Sequence, residues 1–271
     1  LGDPEHEGVQ LLARGADGAA AGAPQTLTAS SITVGEPNSR VVFNHTGPDL
    51  FVSATIGGNG RILHQSGTTI LTAASAGGSS ITAIDLTGGT LFSNSNLRAT
   101  TMTVSGGATL GGTGTVEASI AVTNGIITPG FRGVGNLTLG NLSLTAASVL
   151  NFELGALGTL GVGSDLLTLG NVNTSGNLTL DGTLNVTNVG GFGAGLYRLI
   201  DYRGTLTNNG LNIGTVPTGS AASNLTVQTA TARQVNLLVG VPAATGVFNF
   251  WDGANTVSNA LVDGGTGTWT A

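Results

Sequence analysis

The sequence predicts an all-β fold and favours a parallel β-helix, on three observations. From about Thr26 to Gly240, aliphatic and β-branched residues recur at every second position, which is the period of a strand. The runs are bounded by GG, GN, NG, SG and DG, dipeptides that mark turns because Gly and Asn accept positive φ at low cost. Similar positions also recur every 18 to 20 residues, with Leu91 and Leu110 19 apart and Leu166 and Leu184 18 apart.

Each predicted strand is one short alternating run. No window of a dozen residues has helical periodicity. In chain order the runs are LTASSITV, RVVFNH, RILHQ, TILTA, SITAIDL, TLFS, TMTV, NLTL, NLSL, VLNFEL, LLTL, TLNV and VNLLV.

A repeat of this length is too short for layers that include helices, and it suits one coil of a solenoid. Successive coils would stack about 4.8 Å apart, so roughly 215 patterned residues would form about 10 or 11 coils and a rod about 50 Å long. Aliphatic ladders are expected in the bore, with Thr, Ser and Asn ladders outside. An antiparallel sandwich or barrel, which also uses short strands and Gly-rich turns, is the alternative.

Three regions are expected along the chain. Residues 1–25 are a lead-in or linker, because they hold four acidic residues followed by an Ala/Gly-rich stretch. Residues 26–240 carry the β-helical repeats. Residues 241–271 are expected to begin a further repeat block that is cut short, so the chain is expected to be a fragment of a longer protein.

Composition disfavours several functions. Charged residues make up 8% of the chain, so few side chains can do acid–base chemistry. A net charge of −6, with eight scattered Arg and no Lys, disfavours nucleic acid and anionic lipid, which need clustered positive charge. The absence of Cys rules out disulfides, thiolate nucleophiles and Cys-ligated metals. Neither an apolar run of 18 residues nor a signal-peptide pattern is present.

Eight motifs follow one another along the chain. They are GGTGTV (111–116), GIITPG (125–130), GNLTLGNLSL (135–144), LNFELG (150–155), SDLLTLG (164–170), GNLTLDGTLNV (176–186), GLYRLIDYRGTLTNNGLNIGTVP (195–217) and QVNLLV (234–239). In this order they resemble the autotransporter passenger domains that carry autotransporter-associated β-strand repeats. Residues 41–75 resemble the repeats that precede this block in the family, and residues 248–269 resemble the opening of the next block.

The resemblance, which covers about 230 residues, implies a single-stranded right-handed parallel β-helix exported by a bacterial type V pathway. It also implies display at the cell surface, where the passenger is tethered to the outer membrane or released. A C-terminal outer-membrane barrel, outside this chain, would be the partner domain. The lack of Cys agrees with this route, because a disulfide would obstruct threading of an unfolded chain through a narrow pore.

Two Gly-rich segments resemble ligand-binding loops, and both are interpreted as turns. GGFGAGLY (190–197) approaches a calcium-binding nonapeptide, but Gly195 stands where the ligand Asp is needed. GGTGTVE (111–117) lacks the Lys and the following helix of a phosphate-binding loop. No metal and no cofactor are therefore expected.

Catalysis is not expected either, and no catalytic residue is assigned. The histidines are His6, His45 and His64, and the pairing of His45 with Asp49 across a Gly-Pro turn is given a structural role. Dispersed carboxylates disfavour a polysaccharide-active enzyme, which clusters them on one face. The acidic residues considered are Asp85, Glu117, Glu153, Asp165, Asp181 and Asp201.

Asp165 and Asp181 are the best carboxylate pair, because a spacing of 16 could place them on adjacent coils. Both occupy turn positions, where Asp commonly bonds the local backbone. Trp251 and Trp269 are 18 apart and could stack on successive rungs, either as a plug or as a sugar-binding pair. RGAD (14–17) is not an integrin-type tripeptide.

Asn-x-Ser/Thr sequons at Asn136, Asn141 and Asn177 are interpreted as turn and ladder residues rather than as glycosylation sites. The sequence therefore favours a structural stalk of a surface-displayed passenger. An adhesin that binds glycans or the surfaces of host or neighbouring cells is the alternative, and a carbohydrate-active enzyme is the weakest candidate.

Overall fold

The computed structural model describes residue 22 and residues 29–73 and 81–240. The chain divides into two compact units, Leu1–Val241 and Pro242–Ala271, and the described residues all lie in the first. Within them the secondary structure is β-strand, apart from one 3₁₀ turn at Ala222–Asn224. No helix in the described part is long and apolar enough to cross a membrane.

Twenty-two strands follow one another in the described part of the chain. The first eleven are β1 (Ser31–Val34), β2 (Arg40–Asn44), β3 (Leu50–Val52), β4 (Thr55–Gly58), β5 (Arg61–Ser66), β6 (Thr68–Leu71), β7 (Ile81–Leu86), β8 (Thr90–Ser93), β9 (Asn96–Val104), β10 (Thr109–Gly112) and β11 (Thr115–Val122). The others are β12 (Ile126–Pro129), β13 (Asn136–Leu144), β14 (Val149–Leu154), β15 (Leu166–Leu169), β16 (Leu178–Leu180), β17 (Thr183–Asn188), β18 (Gly195–Tyr202), β19 (Leu206–Asn208), β20 (Asn212–Ile213), β21 (Leu225–Gln228) and β22 (Gln234–Val239).

Two large sheets take strands from the chain in turn. The eight-stranded sheet has the order β20-β17-β14-β12-β10-β8-β6-β3. The twelve-stranded sheet has the order β2-β5-β7-β9-β11-β13-β15-β18-β22-β21, with β16 and β19 paired beside it, and β1 pairs separately with β4. Every pairing from β1 to β20 is parallel. The prediction of an all-β fold is therefore confirmed for the described residues, and the parallel sheets are compatible with a β-helix.

Apolar side chains stack in register on the inner face of the eight-stranded sheet. Leu91 pairs with Leu110, as the 19-residue spacing predicts, and both are fully buried. The column consists of Leu50, Thr69, Leu91, Leu110, Ile127, Leu150, Leu184 and Ile213. Burial of aliphatic surface along this column is a main source of stability in a chain with few charges.

The second predicted spacing is wrong. Leu166 pairs with Asn136 in the twelve-stranded sheet, whereas Leu184 pairs with Leu150 in the eight-stranded sheet. Residues 155–165 and 170–177 lengthen this part of the chain, so that Asn151 and Asn185 bond to each other although they are 34 residues apart. The smaller sheet accordingly has eight strand levels, fewer than the predicted ten or eleven coils.

Antiparallel pairing ends the parallel stack, which the sequence did not predict. Strand β22 pairs antiparallel with both β18 and β21. The connection from β21 to β22 includes Arg233, which has a φ of 65° and supplies the left-handed residue of this turn. A strand that runs the opposite way closes the growing edge of the sheet, because it cannot continue the parallel register.

Polar ladders lie on the outer face of the twelve-stranded sheet. Asn141 Oδ1 accepts hydrogen bonds from Ser175 Oγ and Asn177 N, and Asn177 Oδ1 accepts from Thr205 N and Oγ1. Thr168 Oγ1 donates to Asn136 Oδ1. Asn177 precedes β16, in agreement with the predicted turn position, whereas Asn136 and Asn141 lie within β13 and are ladder residues.

Candidate functional site

A shallow groove of about 780 Å³ crosses the outer face of the eight-stranded sheet. We call it the outer-sheet groove and define it by residues on β8, β12, β14 and β17 and on the segments that follow β12 and β20. They are Phe92, Thr128, Arg132, Asn151, Glu153, Asn185, Thr187 and Thr215. Sequence reasoning missed this set, because its members are far apart in the sequence and come together only when the strands pair.

Aromatic side chains form one end of the groove. The rings of Phe92 and Phe131 meet edge to face with their centroids 5.0 Å apart. A Cβ atom at Gly111 would lie 2.9 Å from Phe92 Cε1, so the ring covers a position that only glycine leaves open. Arg132 lies over Phe131, with Cζ 5.6 Å from the ring centroid, and forms an ion pair with Asp49.

Amide side chains form the middle of the groove. Asn185 Nδ2 donates to Asn151 Oδ1 at 3.0 Å, and Asn185 Oδ1 accepts from Thr215 N at 2.8 Å and from Thr215 Oγ1 at 2.7 Å. These bonds tie three strand levels together and fix the orientation of the amides. Glu153 pairs in register with Thr187 beside them.

His45 and His64 are buried in the interior instead of forming a catalytic pair with Asp49. The Nε2 atoms of both histidines lie 3.1 Å from Thr69 Oγ1, the one hydroxyl in the inner aliphatic column. Burial lowers the pKa of His64 to about 4, and it also lowers the pKa of His45, against a smaller opposing effect of Asp49. Asp49 itself pairs with Arg132. The structural role predicted for His45 agrees with this arrangement.

Asp165 and Asp181 have separate structural surroundings. Asp165 is fully buried, and its two carboxylate oxygens accept hydrogen bonds from Gly135 N at 2.8 Å and Glu153 N at 2.7 Å. Burial raises the pKa of Asp165 to about 7, although these two bonds act in the opposite direction. Asp181 accepts a bond from Gly182 N in its own turn, as predicted.

The expectation that these two residues lie on adjacent coils is wrong. Asp165 directly precedes β15 in the twelve-stranded sheet, and Asp181 precedes β17 in the other sheet. Because the step between paired strands is 34 residues here, a spacing of 16 stays within one step. The pair therefore gives no stacked carboxylates.

Three further carboxylates on strands, those of Glu117, Asp85 and Asp201, serve local structure. Glu117 accepts bonds from Asn171 Nδ2 at 2.8 Å and Asn173 Nδ2 at 2.9 Å and pairs with Arg98 at 3.0 Å, which fastens the 170–177 segment to the sheet. Asp85 pairs with Arg61, and Asp201 pairs with Arg198.

The two Gly-rich segments are turns only in part, because residues 111–112 end β10, residues 115–117 begin β11 and residues 195–197 begin β18. Residues 111–117 carry the chain from β10 to β11, and residues 190–197 lead into β18. Among the residues that the structure describes, no group of three or more His, Asp or Glu side chains could hold a metal ion. Trp251, Trp269, His6 and RGAD (14–17) lie outside the described residues.

The described part of the chain thus has the features of a repetitive, parallel-stranded all-β protein. Its inner columns are aliphatic, its outer columns are polar, and its described acidic residues on strands are engaged in local contacts, except for Glu153.

Comparison with known proteins shows a more specific similarity. Over 155 residues the chain is 47% identical to a protein of Brucella suis biovar 1 (strain 1330) named Adhesin BmaC autotransporter. The match covers 56% of this chain and 4% of that protein, so the chain spans a small fraction of its relative's length. No protein-family model matches the chain.

This relationship confirms the resemblance to an autotransporter passenger domain that the motifs indicate. It also supports the predicted location at the bacterial surface.

Proposed function

We propose that residues 26–240 form a single-stranded right-handed parallel β-helix that acts as a structural stalk in a surface-displayed passenger. The parallel register, which runs from β2 to β18 in one sheet and from β3 to β20 in the other, is the observation that supports this proposal most directly. The right-handed form follows from the strong preference of parallel crossover connections for that hand.

The proposed stalk works through its geometry. Strands stack about 4.8 Å apart, so the eight levels of the smaller sheet extend about 34 Å along the stack. Each level is held by backbone hydrogen bonds to the levels on either side and by aliphatic side chains in the interior. A longer chain of this kind would therefore form a longer rigid rod that extends farther from the cell surface.

The proposal extends to the whole protein in three respects. Residues 1–25 would lead into the β-helix, and residues 241–271 would begin a further repeat block. A C-terminal outer-membrane barrel would anchor the protein. The role of the segment would be non-enzymatic, which agrees with the adhesin name of the relative.

A direct adhesive function is the second candidate. The relative is named an adhesin, and the outer-sheet groove offers aromatic, amide and carboxylate groups on one exposed face. Under this reading, the segment itself would contact glycans or the surface of a host or neighbouring cell.

Removal of one coil from the parent protein, displayed on cells, tests the stalk proposal. Thr109 pairs with Thr90 on one side and with Ile126 on the other, so deletion of residues 109–125 removes one complete step and leaves the strands in register. A stalk tolerates this deletion, with surface display and cell adhesion unchanged. Deletion of residues 109–117 is the matched control, since it breaks the register and should abolish display.

Loss of adhesion with normal display after deletion of residues 109–125 would favour direct binding instead. Loss of display in that variant, measured by antibody labelling of intact cells, would contradict a stalk made of interchangeable coils.

A further inference from the structure

We propose that the outer-sheet groove binds a linear, uncharged, hydroxyl-rich oligosaccharide that lies across successive strands. The inference gives the second candidate function a site and a ligand class, and the stalk role does not depend on it. It rests on the spacing, the hydrogen-bonding groups and the charge of the groove.

The spacing suits a polymer. The residues that line the groove come from β8, β12, β14 and β17, which are levels of one parallel sheet, and from the segment after β20. Neighbouring levels are about 4.8 Å apart, comparable to the length of one sugar ring in an extended chain. A linear oligosaccharide would therefore meet a new outward-facing side chain at nearly every residue.

The polar groups of the groove are held in place and retain free hydrogen-bonding capacity. Asn185 is fixed by its bonds to Asn151 and Thr215, which leaves the Nδ2 group of Asn151 available as a donor. The Glu153 carboxylate accepts no hydrogen bond and forms no ion pair within the described residues, so it can accept from sugar hydroxyls. Preorganised polar groups of this kind reduce the entropic cost of binding.

The aromatic end supplies apolar contact. Phe92 lines the groove and is supported from behind by Phe131. The C–H face of a pyranose ring can bury apolar surface against such a ring, while its hydroxyls remain directed to the amides. A mixture of one aromatic surface and several fixed polar groups matches a sugar better than a hydrophobic ligand.

The charge of the groove favours an uncharged ligand. Arg132 is the only cationic side chain among the lining residues, and its charge is paired with Asp49. Glu153 would repel sulfated or uronic-acid sugars. Binding is also favoured over hydrolysis, because glycoside cleavage uses two carboxylates that reach the substrate, and the nearby Asp165 is buried with both oxygens on backbone amides.

Calorimetric titration of the purified chain tests the proposal with cellohexaose, maltohexaose and hexa-N-acetylchitohexaose as neutral probes. A sulfated heparin hexasaccharide is the anionic comparison. We expect saturable binding of at least one neutral hexamer, at least tenfold tighter than its disaccharide, because the hexamer reaches several levels.

Substitutions assign the binding to the groove. Glu153→Gln keeps the shape of the side chain and removes its charge, and Phe92→Leu removes the aromatic ring. Each substitution should lower the affinity for the hexamer at least tenfold. Glu36→Gln and Phe51→Leu change an exposed carboxylate and an exposed ring outside the groove, and they should leave affinity unchanged. Circular dichroism of each variant checks that the fold is retained.

The proposal is overturned if none of the three neutral hexamers saturates the chain, if the heparin hexasaccharide binds more tightly than they do, or if folded Glu153→Gln and Phe92→Leu proteins both bind as the unaltered chain does. Any of these results leaves the stalk proposal intact, because that proposal is tested by the coil deletion.

Discussion

Asp165→Asn should change the stability of the protein in opposite directions at low and high pH. Each carboxylate oxygen of Asp165 accepts one backbone N–H, from Gly135 and from Glu153. An Asn side chain has one acceptor oxygen, so one N–H donor would face the NH₂ group. A buried donor without a partner costs about 1–3 kcal/mol.

The pH dependence follows from the raised pKa of the carboxyl group. The pKa is about 7 in the folded protein and 3.8 in the unfolded chain. Folding is therefore favoured most at a pH below 3.8, and that contribution is lost as the pH rises through about 7. The difference between these two pKa values corresponds to roughly 4 kcal/mol. The Asn variant does not titrate and avoids this loss.

Urea unfolding of both proteins at pH 4 and pH 8, followed by circular dichroism, measures the effect. We expect the variant to be about 1–3 kcal/mol less stable at pH 4 and at least as stable as the unaltered chain at pH 8. The histidines are the same in both proteins, so their titration cancels in the comparison. An equal loss of stability at both pH values would refute the argument that a buried carboxylate is being charged.

Three further predictions concern the interior. Because burial lowers the folded pKa of His64 to about 4 from 6.5, the stability that its neutral form provides is present above 6.5 and lost as the pH falls through about 4. Urea unfolding of the unaltered chain and of His64→Gln at pH 7 and pH 4 measures this effect. Between pH 7 and pH 4 the unaltered chain should lose about 3 kcal/mol more of its free energy of unfolding than the variant does. An equal change in both proteins would contradict the prediction. Gly112→Ala should lower the melting temperature more than Gly107→Ala. Both residues have a positive φ, but a Cβ atom at 112 would lie 2.2 Å from a carbonyl oxygen, whereas the space around 107 is open. Equal changes in melting temperature would argue against this close approach. Leu110→Ala should lower the free energy of unfolding by about 2–5 kcal/mol, because the residue is buried in the inner column. Leu196→Ala, at a residue that is 52% exposed, should lower it by about 0.5 kcal/mol or less. Comparable losses for the two variants in urea unfolding would contradict the role of the inner column.

The fold could be predicted where the turns are short and uniform. Leu91 and Leu110 are separated by tight Gly-containing turns, so their sequence spacing equals one step of the register. Between Leu150 and Leu184 the chain makes two excursions, and alternation of residues cannot reveal how long an excursion is before the next strand rejoins its sheet. The antiparallel β22 was missed for a similar reason, because an alternating run has the same pattern in either direction.

The candidate site was harder to predict than the fold. The sequence shows Asp165 at an apparent turn, but the amides that bury and bind its carboxylate belong to residues 30 and 12 positions away. Phe92 and Asn185 share a groove only because five strand levels of one sheet connect them. Local turn chemistry sufficed for Asp181, whose bond lies within its own turn.

Distances between spin labels test the parallel stack most directly, and the absence of native Cys makes the labelling specific. Thr103, Ala121, Ser143, Thr179 and Thr207 pair successively in parallel register. Four steps of about 4.8 Å place the backbones of Thr103 and Thr207 about 19 Å apart, and two steps place Thr103 and Ser143 about 10 Å apart. Double electron–electron resonance on the labelled Thr103→Cys/Thr207→Cys protein should give a single population of distances near about 19 Å. The spectrum of the labelled Thr103→Cys/Ser143→Cys protein should show strong line broadening, because its two labels are closer. A Thr103–Thr207 distance no greater than the Thr103–Ser143 distance would contradict the stacked parallel strands.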